Sequence, residues 1–155
     1  VRNPNRRTGR GRIDREPMPI YYQEGFRYVL HQPYKLDLGE YGFQPIIHAK
    51  IGNPWVSIDE HCILRIAATY AWDGDSGPAS NTLASRRASL VHDALYQLIR
   101  IGAIRPTQKH LADQVYRDIL LENRMWPPRA WWRSQGLRLF GANSLTRERP
   151  VLVAP

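Results

Sequence analysis

Four side chains in this sequence have the types and spacing for acid–base or metal chemistry: Asp73, His92, Asp93 and Asp113. His92 and Asp93 are adjacent in "ASLVHDALY" (88–96), where Val91, Ala94 or Leu95, Leu98 and Ile101 recur at helical spacing and point to a core-facing stripe. On such a helix His92 and Tyr96 share one flank, and Asp93 lies about 100° round from His92. The polar pair therefore borders the apolar stripe. In the next helical segment Ala112, Val115 or Tyr116 and Ile119 form a second stripe, which Asp113 borders in the same way. Helices joined by a short connection pack antiparallel, which carries Asp113 toward the His92 turn. Asp73, in "WDGDSGP" (72–78), approaches from the preceding loop, together with Asp75. One imidazole and two or three carboxylates suit a divalent ion such as Zn, Mn or Mg. In that reading Asp73, His92 and Asp113 bind the metal, and Asp93 is a further ligand or the general base that works with a metal-bound water. The expected chemistry is hydrolysis of peptidoglycan or a phosphoester. The same residues also suit a structural role, because a carboxylate that orients an imidazole is a common way to satisfy buried polar groups. Asp73-Gly74-Asp75 reads equally as a turn, and Asp113 taken alone as a helix-surface charge.

These residues need elements to position them. Residues 20–71 contain short β-branched or aromatic runs, "IYYQ", "FRYVLH", "YKLDL", "FQPIIHAKI", "WVSI" and "CILRIAATYAW", separated by Gly, Pro, Asn and Asp. Spacing this tight predicts an antiparallel sheet rather than βαβ units. After the loop that follows Trp72, Ser85 is the expected N-cap of a helix over about 86–101. Thr107 is the expected cap of a second, running to about 124. Pro127-Pro128 opens a third that ends near Phe140-Gly141, Pro at the first turn and Gly at the end being the usual asymmetry. The expected fold is α+β: a small antiparallel β-sheet in the N-terminal half followed by about three helices. The expected organisation is a basic arm over 1–19, one domain over 20–142 and an irregular tail over 143–155.

Charge is confined to the ends. Residues 1–16 carry six Arg against Asp14 and Glu16, residues 17–121 are neutral, and residues 122–155 carry six Arg against Glu122 and Glu148. A nucleic-acid enzyme more often carries its charge on the folded face. Arginine arms, with Arg6, Arg7, Arg10 and Arg12 as the binding residues, suit docking onto an acidic partner, protein or nucleic acid. Trp126, Trp131 and Trp132 in "WPPRAWWR" fit stacking on bases or sugars, or, at helical spacing, packing plus an interface patch. The single cysteine, Cys62, excludes an internal disulfide and a Cys-rich zinc framework. The apolar runs are too short for a membrane span, and the basic start lacks the apolar stretch of a signal peptide. No phosphate-binding loop or dinucleotide fingerprint is present.

Taken in order, "WDGDSGP", "ASLVHDALY", "LADQVYRDIL" (111–120) and "GLRLFGA" (136–142) resemble an uncharacterised family of small bacteriophage and prophage proteins, a domain of unknown function. That family's pattern is Asp-Gly-x-Ser-x-Pro, His-Asp-x-Leu-Tyr, Ala-Asp-x-x-Phe and a closing aromatic-Gly. Asp73, Gly74, Ser76, Pro78, His92, Asp93, Leu95, Tyr96, Ala112 and Asp113 fit it, over about half the chain. Tyr116 stands where the family more often has Phe, and Gly77 replaces an apolar residue. The resemblance implies a phage gene product encoded near tail or lysis functions, without a known reaction, and it groups Asp73, His92, Asp93 and Asp113 as one set. The leading expectation is a virion-associated structural protein of the tail, baseplate or neck, made in the host cytoplasm and partnered by other virion proteins. A metal-dependent hydrolase and a nucleic-acid-binding protein are the alternatives.

Overall fold

Alternating apolar residues a turn apart in the chain pair locally, and this builds the first half of the protein. In the computed structural model, described over residues 20–22, 27–43, 51–75, 82–146 and 152–154, the strands are β1 (Ile20–Tyr22), β2 (Tyr28–Val29), β3 (Tyr34–Asp37), β4 (Ile51–Gly52), β5 (Val56–Ile58), β6 (Ile63–Ile66), β7 (Ala71–Trp72) and β8 (Leu152–Ala154). The helices are α1 (Leu83–Arg100), α2 (Lys109–Glu122) and α3 (Pro127–Thr146). The α+β expectation holds. β3, β6, β5 and β4 form, in that order, an antiparallel four-stranded sheet. Its register aligns Val56 with Ile66 and Ile58 with Leu64, which sets these four buried side chains on one face. The Asn53 side chain shapes the β4–β5 turn by accepting hydrogen bonds from the backbone N–H groups of Trp55 and Val56, at 3.0 and 2.8 Å. Gly52 is required there, because a Cβ would lie 2.2 Å from the carbonyl oxygen of Val56.

The run "CILRIAATYAW" is broken in two. Thr69 takes a left-handed backbone (φ 71°), so β6 ends and β7 pairs with β2 instead of with the large sheet. Tyr28 and Trp72 face each other across that ribbon with ring centroids 5.3 Å apart, and the Trp72 indole N–H donates to Ser89 on α1. The loop after β7, which carries Asp73 and Asp75, is thereby tied to α1.

Leu90, Val91, Ala94, Leu95 and Leu98 on α1 are buried and join Val115, Ile119 and Leu120 of α2 in one core with the sheet, whereas Ile101, the last position of the expected stripe, is the C-cap and is 45% exposed. α1 starts three residues before the expected position. Thr82, in extended backbone, is its N-cap, and Ser85 is the third helical residue of a reciprocal capping box: Thr82 Oγ1 accepts from the Ser85 N–H, and Ser85 Oγ accepts from the Thr82 N–H. Thr82→Ala is expected to lower stability by about 1 kcal/mol, read from urea unfolding. At its C-terminus Gly102 adopts φ 76° and the N–H groups of Gly102 and Ala103 return to the carbonyls of Ile99 and Leu98. α2 is preceded by a short 3-10 turn (Pro106–Gln108) where Thr107 was the expected cap, and α2 itself begins at Lys109. α1 and α2 are antiparallel, with Asn123 Nδ2 donating to the Ala84 carbonyl at one end and Tyr96 reaching Asp113 at the other.

α3 continues to Thr146, past the expected stop at Gly141, and the expected irregular tail is helix to that point and strand over β8. An isolated glycine costs a helix only about 1 kcal/mol, and here it is followed by residues that carry the helix on. Residues 25–148 form one compact unit, and β1 with β8, paired antiparallel, belongs to another.

Candidate functional site

Two carboxylates on different elements anchor a buried polar cluster within the 25–148 unit. Asp113, on α2, accepts from three donors: His92 Nε2 at 3.0 Å and Tyr96 Oη at 2.7 Å, both on Oδ1, and Lys109 Nζ at 2.7 Å on Oδ2. A carboxylate cannot donate, so Nε2 of His92 carries the proton. Asp75, in the loop after β7, accepts from Tyr116 Oη (2.7 Å), Ser85 Oγ (2.5 Å) and Arg133 Nη1 of α3 (2.7 Å). The His92 ring joins the two halves. Its centroid lies 4.0 Å from that of Tyr96 and 5.5 Å from that of Tyr116, the latter edge-on. The cluster therefore links the β7–α1 loop, α1, α2 and α3.

Burial decides its electrostatics. Desolvation lowers the His92 pKa and outweighs the opposing pull of Asp113, so the imidazole is neutral. Burial tends to raise the Asp113 pKa, but the hydrogen bonds from His92, Lys109 and Tyr96 outweigh it and hold the carboxyl below its usual value. The Tyr96 and Tyr116 phenols are pushed up by burial, with Asp113 and Asp75 respectively adding to the effect. The side chains of Asp113, Asp75, Arg133 and His92 are all at most 5% exposed, and only Lys109, at 20%, reaches solvent. Both oxygens of each carboxylate accept from protein donors, and hydrogen-bonded networks of this kind rigidify a core.

The structure brings together His92 and Asp113, as the antiparallel packing predicts. Among the described residues no group of three or more His, Cys, Asp or Glu side chains is placed to hold a metal ion. The reason is local. Both oxygens of Asp113 already accept from protein donors, one of them the Lys109 ammonium, so a cation there would have to displace a positive charge. Asp73 follows β7, and it is Asp75, two residues on, that reaches the cluster. Asp93, the expected general base, is partly buried and feels the opposed charges of Arg100 and Asp75. Burial, only partly offset by Arg100, pushes its carboxyl up to about 7. A folded-state pKa above the unfolded value means that the native chain binds the extra proton, so this residue removes stability as pH rises from about 4 to 7. Asp93→Asn is expected to abolish that slope and to raise stability at pH 8 by about 1–2 kcal/mol, measured by urea unfolding across pH.

Sequence reasoning missed Ser85, Lys109 and Arg133 as members of the cluster. Lys109 had a readable signal, the i,i+4 spacing to Asp113. Arg133 had none, because it lies 58 positions from Asp75. Tyr116, noted as a departure from the phage-family pattern, contributes through its hydroxyl, which a Phe would lack.

The α3 tryptophans are not core. Ala130, Arg133, Ser134 and Leu137 form the buried stripe, while Trp126, just before the helix, and Trp131 and Trp132 on it are 71%, 53% and 72% exposed, which leaves the interface-patch and stacking readings and not the packing one. At about 100° per residue Trp132 lies roughly opposite that stripe and Trp131 on its flank. Arg6, Arg7, Arg10 and Arg12 lie outside the described residues. No helix among the described residues is long and apolar enough to cross a membrane. No protein-family model, curated protein or solved structure matches the chain.

Proposed function

We propose that this chain is a structural component of a bacteriophage particle, from the tail, baseplate or neck, docked to neighbouring virion proteins through its arginine-rich ends. The observation that carries the reading is the use to which the phage-like motifs are put. His92, Tyr96 and Asp113 are built into a brace whose acceptors are filled by protein donors, an arrangement that fixes helices rather than one that receives a substrate. The arginine-rich N-terminal segment, six Arg against Asp14 and Glu16 over residues 1–16, also suits a packed subunit tethered by that end. In this reading Arg6, Arg7, Arg10 and Arg12 bind acidic surfaces of the neighbouring subunits. Mass spectrometry of purified particles of the encoding phage tests it. The protein is expected in the particles, and a full-length variant with Arg6, Arg7, Arg10 and Arg12 changed to Ala is expected to fold but to be incorporated poorly. Particles without the protein would discard the proposal, and normal incorporation of the variant would discard the role of the arm.

A further inference from the structure

The polar brace leaves one prominent feature unused, the outward surface of α3 and the residues just before it. Large aromatic rings in water lose the free energy of burial, so an exposed group of three tryptophans marks a surface that another molecule covers. Trp126, Trp131 and Trp132 are each more than half exposed, and they are interleaved with exposed Arg124, Arg129 and Arg138. None of these three arginines is in an ion pair among the described residues. From Asn123 to Thr146 the chain contains no Asp or Glu. The nearest carboxylate before that stretch, Glu122, is engaged by Arg87 and by the Tyr41 hydroxyl, so it does little to offset the positive field. The fourth arginine, Arg133, points inward to Asp75. The exposed side chains of this segment, spread around the free sides of α3 and the turn before it, therefore combine flat apolar rings with positive charge alone.

We infer that this α3 surface binds single-stranded nucleic acid. Unpaired bases present π-faces that stack on tryptophan, and the phosphates between them meet arginine, whose forked donors match phosphate oxygens. A duplex hides its base faces in the stack and would engage the arginines alone. A second copy of this chain is a poor occupant, because the same surface would oppose like charge. A protein partner would have to supply acidic groups opposite all three arginines. The inference does not rest on the particle reading, and it uses a surface distinct from the N-terminal arm.

Tryptophan fluorescence of the full-length protein, titrated with an oligothymidylate of about 20 nucleotides, tests it. Quenching is expected, with affinity that falls steeply as salt rises. Trp131→Ala together with Trp132→Ala is expected to weaken binding by about tenfold or more. Arg129→Gln with Arg138→Gln is expected to reduce the log–log salt slope by about 1.4, roughly 0.7 for each phosphate contact removed from a single strand. Circular dichroism and thermal unfolding of both variants should match the parent, since these side chains are exposed. The variant with Ala at Arg6, Arg7, Arg10 and Arg12 is expected to keep the Trp-dependent quenching. Absence of binding, a tryptophan variant that binds as tightly as the parent, or equal affinity for a duplex of the same length would each overturn the inference. The first of these outcomes would leave a protein as the occupant of this surface.

Discussion

Replacing Arg133 by Met lowers the stability of this protein by about 3–5 kcal/mol, the cost of leaving one partner of a buried ion pair without the other. Arg133 and Asp75 are almost wholly enclosed, with side chains 3% and 2% exposed, and are joined at 2.7 Å. Methionine fills most of the volume of arginine, so the loss reflects charge rather than a cavity. After the change, Asp75 keeps the Ser85 and Tyr116 hydroxyls, but no longer the guanidinium of α3. The double variant Arg133→Met with Asp75→Asn is expected to recover at least about 1 kcal/mol of the loss, because the carboxylate that the guanidinium faced is then neutral. Urea unfolding of the parent, both single variants and the double variant measures the coupling. Additive losses in that cycle would mean that the pair does not act as a unit.

Asp113→Ala is the second large effect, expected to cost about 3–5 kcal/mol. It leaves His92 Nε2, Tyr96 Oη and Lys109 Nζ without their common acceptor, two of the three in the interior. Its pH dependence has a defined sign. The folded Asp113 carboxyl titrates below its usual value, so its contribution is present above pH about 4 and is lost as pH falls through the folded value. The depressed pKa of His92 acts in the same direction over a higher window. The unfolded imidazole takes up a proton below about pH 6.5, where the folded one does not, so stability declines on acidification from there. Asp93 works against both, since its raised pKa adds stability between about pH 7 and 4 on acidification. The parent curve is therefore a sum of opposed terms, and acid titrations of Asp113→Asn, His92→Asn and Asp93→Asn by circular dichroism separate them. An acid limb unchanged in Asp113→Asn would contradict the brace.

Much of the fold was legible in the residues for a simple reason: strand alternation and the 3.6-residue period report burial locally. "ASLVHDALY" marked a helix because its apolar positions fall on one face, and the short connection after it implied an antiparallel partner. That was enough to predict the meeting of His92 with Asp113, two residues 21 positions apart. The helix start was misplaced by three residues because Thr82 and Ser85 are both good caps, and only the backbone turn shows which of them stands outside the helix. The break in "CILRIAATYAW" depends on the left-handed conformation of Thr69, which residue type alone does not announce.

The meaning of the polar residues was a different matter. Composition and spacing determined that this chain forms an α+β fold with a neutral body, basic ends and an imidazole beside the core. They left the Asp-His set open between a metal site and a polar seam, because both need the same residue types at the same spacing. Tertiary structure decided how the oxygens are filled. Lys109 and Tyr96 complete Asp113, while Arg133, arriving from α3, completes Asp75. It also turned Trp131 and Trp132 outward, because Ala130, Arg133, Ser134 and Leu137 occupy the face of α3 that packs on the body. A pattern along one helix shows which residues share a side, but only the packing of all three helices determines which side meets water.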